Sequence, residues 1–221
     1  MPEALEIARR TGVKLHFAHY RTHPHSAGQV TQVMAGIDAA KAQGADVTLD
    51  IYPYATGSSV PISFLPSEAH EGGPQAILQR LKDPAWRARI AEFVMADQRD
   101  MRALDEVVVS YTPKTPQLEG ISLSQIARER RLSLGEALCD VLYENDLALG
   151  YCLAPPKSYG LWHRVSKDSM DLIAREDFMV CSDITPAGTM PHPRSYGAFP
   201  RFLGRLRREF PPSRWRAWCT A

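Results

Sequence analysis

The sequence predicts an α/β fold, a partial TIM-like (β/α) barrel amounting to roughly its second half, with a helical insertion on the rim. Three observations carry this. Short strand-like runs alternate with segments of helical period, the spacing between the first two runs fits a parallel crossover, and polar residues stand at the carboxyl ends of the runs. Open α/β and barrel folds place their chemistry at such ends.

Met1 to Gly12 reads as a helix with a glycine stop, leading into Val13 to His19, which alternates apolar with polar as far as Phe17 and ends on histidine. Val30, Val33, Met34, Ile37 and Ala40 recur at helical spacing, and Gly44 closes that helix before Val47 to Ile51 forms a second strand. A crossover of this length makes the two strands parallel. Tyr52 to Ser59 leaves the second strand as a loop, since Pro53 removes a ladder donor. Glu71 to Asp97 is charged and helix-favouring, broken at Asp83-Pro84, and a short strand follows at Val107 to Val109. Residues about 60–120 are therefore expected as an insertion on the rim of a domain spanning 1–210. Leu123, Ile126 and Ala127, then Leu134, Ala137, Leu138, Val141 and Leu142, mark two helices, the second capped by Ser133. Leu147 to Leu153 is expected as the next strand, Ser166 to Arg175 as a helix, and Phe178 to Ser182 as a last strand buried on both faces. Both ends read as cut, and residues 211–221, with two tryptophans and no apolar period, read as an irregular tail.

Composition narrows the function. The 221 residues, 44% apolar, are enough to bury a core but fewer than the roughly 250 of a usual barrel. Lys plus Arg of 26 against Asp plus Glu of 25 gives a formal charge of +1, which provides no bulk attraction to nucleic acid or an anionic membrane and suits a small neutral or mildly anionic ligand. Cys139, Cys152, Cys181 and Cys219 are dispersed, so reduced thiols and a cytoplasmic location are expected rather than a zinc knuckle or disulfide frame. No signal-like opening and no run of about 20 apolar residues is present, so the chain is expected to be soluble. Open barrel edges would favour self-association.

Three strand ends carry polar groups: His19, then Tyr52 and Tyr54, then Asp183. In a parallel barrel they converge on one mouth. Imidazole and carboxylate together suit zinc, and an aspartate there could also take a proton from metal-bound water, but a stable zinc centre usually needs three protein ligands. Asp183 could instead cap a turn. His16, three residues before His19, is expected to pack on the opposite face of its strand. His23 and His25 read as a solvated loop more readily than as further ligands, and His70 and His163 as surface residues. Arg194 has the planar fork that fits a carboxylate, or it holds its loop by bonding carbonyls. Ser58 and Ser59 lack a nucleophile elbow, and neither a dinucleotide fingerprint nor a Walker loop occurs.

His16-Phe17-Ala18-His19, Asp46 to Ser58, Cys181-Ser182-Asp183 and the long run His192 to Gly204 together resemble, in order and spacing, the D-aminoacylase (N-acyl-D-amino-acid deacylase) branch of the amidohydrolase superfamily. The resemblance implies a metal-dependent barrel hydrolase that cleaves the linear amide of N-acyl-D-amino acids to a carboxylate and a D-amino acid, with one or two zinc ions in the complete enzyme. It implies that His19 and Asp183 are metal ligands, that Asp183 shuttles the proton to the leaving amine, and that Tyr52, Tyr54, His192 and Arg194 contact substrate. The family's opening H-x-H and its fourth-strand ligand have no counterpart here. Asp50-Ile51-Tyr52 stands where many members offer a second histidine, and Tyr20-Arg21 stands where His-Lys often follows the first ligand. The alternatives are a non-catalytic fragment of such an enzyme and a cyclic-amide hydrolase of the same superfamily.

Overall fold

The computed structural model describes residues 2–96, 104–184 and 188–211; the expected tail lies outside the described residues except for Pro211. The contacts divide the chain into two units. The first comprises residues 2–55, 155–184 and 193–211, the second residues 56–96, 104–154 and 188–192.

The first unit is built on a parallel sheet. Helix α1 (Pro2–Thr11) precedes strand β1 (Leu15–Phe17), helix α2 (Val30–Ala42) crosses over, and β2 (Val47–Ile51) pairs with β1 in parallel, Leu15 opposite Val47 and Phe17 opposite Leu49. Farther along the chain, helix α7 (Tyr159–Ile173) leads to β6 (Phe178–Val180), which pairs in parallel with the other edge of β2, giving the order β1-β2-β6. The strand-helix-strand reading of residues 13–51 is therefore observed. Helix α7 starts seven residues before its expected beginning because the Ser158 hydroxyl accepts the Leu161 N–H at 3.2 Å, a side-chain cap that starts the helix ahead of its apolar face. The unit closes with α8 (Arg194–Arg201), a π-turn (Phe202–Leu206) and the short α9 (Arg207–Glu209).

The sheet is covered on one side. Leu49 and Ile51 are fully buried with Met34 and Ile37 of α2, Leu172 of α7 and Leu206 of the π-turn, whereas Thr48 is exposed and Asp50 half-buried. The expectation that the last strand is buried on both faces is corrected here: Phe178 is buried, but Met179 beside it is 52% exposed. Among the described residues of the first unit, the helices lie against the Phe178 side, so an all-apolar run ends up with alternating burial. His16 is likewise not a packing residue. It is exposed on the Met179 side, with Nδ1 2.8 Å from Thr48 Oγ1 and Nε2 3.0 Å from Asp50 Oδ2.

Asp177, just before β6, fastens the sheet to its helices. Lys41 Nζ lies 2.7 Å from its carboxylate, and Arg175 donates to it from Nε and from Nη2 at 3.0 Å. Burial alone would raise the Asp177 pKa, but the bonds from Arg175 and Lys41 together outweigh it and hold the carboxyl below the ordinary value. A carboxyl depressed in the folded state stabilises the fold above the unfolded value of about 4, and that contribution is lost as pH falls through the folded value. Urea midpoints measured from pH 6 downward should fall below about pH 4, and Asp177→Asn should flatten part of that fall.

The second unit has its own sheet and core. Strands β3 (Ser58–Ser59), β4 (Val107–Tyr111) and β5 (Gly150–Leu153) are antiparallel in the order β3-β5-β4. The expected strand over Leu147 to Leu153 is thus present from Gly150 but does not continue the parallel sheet, because its ladder partners run the opposite way. Helices α3 (Gly73–Lys82) and α4 (Pro84–Ala96) break at Asp83-Pro84 as expected, where Asp83 Oδ1 accepts the Ala85 N–H at 2.8 Å. Helices α5 (Leu123–Arg130) and α6 (Leu134–Glu144) begin at serine caps, and Ser133 with Glu136 forms the capping box. Leu81, Ile90, Ile126, Leu138 and Leu142 fill this core. Gly135 of α6 is required by packing, since a Cβ there would sit 2.5 Å from the Ala91 Cα of α4. Among the described residues no helix is long and apolar enough to cross a membrane.

Candidate active site

The three strands of the parallel sheet end at the same side, and the first and last of them end in backbone that ordinary residues rarely adopt. His19 has φ 44° and Asp183 has φ 46°, both in the left-handed region. Such conformations persist where the surroundings hold them. At His19 the holding group is Asp50, on the central strand, whose Oδ1 accepts the His19 N–H at 2.5 Å. The His19 side chain itself is exposed.

Asp50 collects three donors or partners: His16, the His19 amide and the Cys181 thiol. Burial alone would raise its pKa, but these hydrogen bonds outweigh it and keep the carboxyl below the ordinary value. The same arrangement makes Cys181 inert, because burial first and the Asp50 carboxylate second push its thiol up to about 12. With iodoacetamide at pH 8, Cys181 should stay unmodified on the timescale that labels free cysteine, and Asp50→Asn should speed its labelling; mass spectrometry of the tryptic peptide reads this directly.

Asp183 is joined to Arg194 at the start of α8, Nη1 to Oδ2 at 2.8 Å. Arg194 is 2% exposed, and its guanidinium lies 4.4 Å from the centre of the buried Tyr52 ring. Arg21, also buried, stands 4.7 Å from the same ring and donates to the Tyr54 carbonyl. Burial dominates at Arg21 and lowers its pKa. Two guanidiniums therefore share one aromatic ring, with Asp183 as a carboxylate close to both.

Helix α8 is clamped to the loop after β2. Arg201 Nε donates to the Pro53 carbonyl at 2.7 Å, and its guanidinium lies 4.8 Å from the Tyr54 ring and 5.0 Å from Trp162. The Tyr54 hydroxyl donates to the Pro193 carbonyl at 3.3 Å, and burial raises its pKa. A Cβ on Gly197 would fall on that hydroxyl, so glycine is needed there. The segment from His192 to Gly204 thus uses Arg194, Gly197 and Arg201 inward, while Tyr196 is 79% exposed.

The expected site residues divide as follows. Asp183, Arg194 and Tyr52 are in direct or ring contact, and Tyr54 adjoins them through Arg21. His19 stands at the end of β1, tied to them through Asp50 and Cys181. His192 belongs to the second unit, where it is buried with Nε2 3.1 Å from Thr56 Oγ1. His23 and His25 face each other across a turn at 6.1 Å, and His163 packs edge-on to Phe210 at 4.7 Å. Sequence reasoning missed Asp50 as an organiser and Arg21 as a second buried cation. Asp50 shares its strand face with Thr48 by simple alternation, which was the available signal; its pairing with His16 depends on register.

Among the described residues no three His, Cys, Asp or Glu side chains are grouped so as to hold a metal ion, and the Asp183 carboxylate is already engaged by Arg194. The described residues do not by themselves form a zinc centre.

No family model matches the chain. Two curated proteins of Alcaligenes xylosoxydans xylosoxydans are similar to it: an N-acyl-D-glutamate deacylase, 26% identical over 94% of this chain and 33% of the relative, and a D-aminoacylase, 24% identical over 95% of this chain and 33% of the relative. Among solved structures, the N-acyl-D-glutamate deacylase of Bordetella bronchiseptica, complexed with zinc and a phosphonate that mimics the tetrahedral intermediate, matches with a TM-score of 0.61 at 24% identity, over 94% of this chain and 34% of that one. A D-aminoacylase described as defining a novel subset of amidohydrolases matches with a TM-score of 0.60 at 23% identity and the same coverage. The chain spans about a third of the length of the relatives it matches. Along nearly all of its own length the chain is similar in sequence to these two deacylases and shares the fold of about a third of each solved one.

Proposed function

We propose that this chain forms part of a deacylase site for N-acyl-D-amino acids, with β1, β2 and β6 as strands of a (β/α) barrel and their carboxyl ends as its mouth. The observation that carries the reading is the Asp183–Arg194 pair at 2.8 Å beside the buried Tyr52 ring, at the end of a parallel strand. In the hydrolysis, the oxygen of water bonds to the acyl carbon and the carbon-nitrogen bond breaks. Asp183 takes the proton from the water and delivers it to the departing amine. Arg194, buried against the Tyr52 ring, holds the Asp183 carboxylate in place and would meet a substrate carboxylate only by releasing it. Tyr54 is the remaining candidate for the substrate pocket within the first unit. His19 and Asp183 are the two groups this chain would offer to zinc.

A second reading is a chain that binds this substrate class without turning it over. Calorimetric titration tests whether the substrate class is right under either reading. N-acetyl-D-glutamate should bind more tightly than its L enantiomer, and Arg194→Lys, which keeps the charge and loses the fork, should weaken binding at least tenfold. Equal affinity for the two enantiomers, or no change in the variant, would contradict the assignment.

A further inference from the structure

The two members of the Asp183–Arg194 pair are held very differently. Arg194 is 2% exposed, while the Asp183 side chain keeps 34% exposure, so the carboxylate is the member that solvent reaches. The guanidinium is fixed from behind. It lies 4.4 Å from the centre of the buried Tyr52 ring, and Arg21, tied to the Tyr54 carbonyl, stands on the same ring. Asp183 sits in left-handed backbone with φ 46°, a conformation that persists only where its surroundings hold it. The pair therefore joins a fixed cation to an anion that can move.

Both roles of the proposed site need this one contact to open. A guanidinium engaged by Asp183 at 2.8 Å meets a second carboxylate only when Asp183 moves off it. Asp183, in turn, takes a proton from water only when its carboxylate is turned to the water. An incoming carboxylate satisfies both conditions at once, because it replaces the charge that Asp183 supplied to the buried cation.

We propose that Arg194 exchanges partners on binding: the carboxylate of an N-acyl-D-amino acid takes the guanidinium from Asp183, and Asp183 is released as proton acceptor only when substrate is seated. The inference rests on the deacylase reading and adds to it a release triggered by the substrate itself. Asp183 is then a competitor of the ligand. A pair closed about nine-tenths of the time costs an incoming carboxylate about tenfold in apparent affinity.

Asp183→Asn removes the competing charge. Calorimetric titration with N-acetyl-D-glutamate should therefore give this variant an affinity at least tenfold above that of the wild-type chain, although it has lost the proton acceptor. The diamide of the same compound, which has no carboxylate, should gain nothing. If Asp183→Asn fails to fold by circular dichroism, the wild-type chain labelled with 15N-arginine decides: the Arg194 guanidinium signal, assigned by its loss in Arg194→Lys, should shift with N-acetyl-D-glutamate and stay in place with the diamide. Wild-type binding with unchanged or weaker affinity in Asp183→Asn, a gain shared by the diamide, or an Arg194 signal that ignores the acid overturns the exchange and leaves the deacylase reading standing. Absence of binding to both chains overturns the two together.

Discussion

Arg194→Met should destabilise the first unit by about 3 kcal/mol, the largest single-residue effect expected outside the apolar core. Arg194 is 2% exposed, so methionine fills much of the volume but removes the counter-charge of Asp183 and the cation over the Tyr52 ring at 4.4 Å. Breaking a buried pair costs more than the pair contributes, because the partner charge is left behind. The Asp183 side chain keeps 34% exposure, and the resulting hydration moderates the loss, which places the estimate at the lower end of the usual range of about 3–5 kcal/mol. Urea unfolding followed by circular dichroism measures it. Asp183→Asn in the Arg194→Met background should recover part of the stability, since the amide needs no counter-charge. Additive losses in the double variant would mean that the two side chains act separately.

Asp168→Ala should cost about 2 kcal/mol and loosen the loop between β1 and α2. Asp168 lies on α7 with 3% exposure, and its Oδ2 accepts the Thr22 hydroxyl at 2.8 Å and the Gly28 N–H at 2.7 Å. Thr22 is 1% exposed, so alanine leaves its hydroxyl buried without that acceptor. Asp168→Asn keeps an oxygen at the site and should lose less. Hydrogen exchange at the Gly28 amide should accelerate in Asp168→Ala. An unchanged rate would show that the loop is held by other contacts.

The sequence made legible what local pattern determines. The β1-α2-β2 unit follows from period and from the Gly44 stop, the Asp83-Pro84 break and the Ser133 cap lie where their chemistry requires, and the polar ends at His19 and Asp183 stand where strand lengths put them. What depended on partners was hidden. Gly150–Leu153 looks like any short strand, and nothing in its residues says that Ser58–Ser59 and Val107–Tyr111 would meet it antiparallel. The apolar run at Phe178 reads the same whether helices cover one face or both, so the exposure of Met179 had no local sign. Asp50 took its role from the register that sets it beside His16 and below the His19 amide, while Arg21 needed the Tyr52 ring in place before its burial made sense. The run from His192 to Gly204 stood out as specific, yet the division of labour within it, with Arg194 and Arg201 inward and Gly197 under the Tyr54 hydroxyl, required the helix.

The measurement that tests the deacylase account most directly is release of free amine from paired N-acetyl-D- and N-acetyl-L-amino acids, with and without added zinc, using the wild-type chain and Asp183→Ala. The account predicts turnover of the D substrates alone, with glutamate among them, and its loss in Asp183→Ala. Turnover that persists in Asp183→Ala, or that ignores the configuration of the substrate, would contradict it. Absence of turnover from every substrate with zinc present would leave the chain a binding module rather than a deacylase.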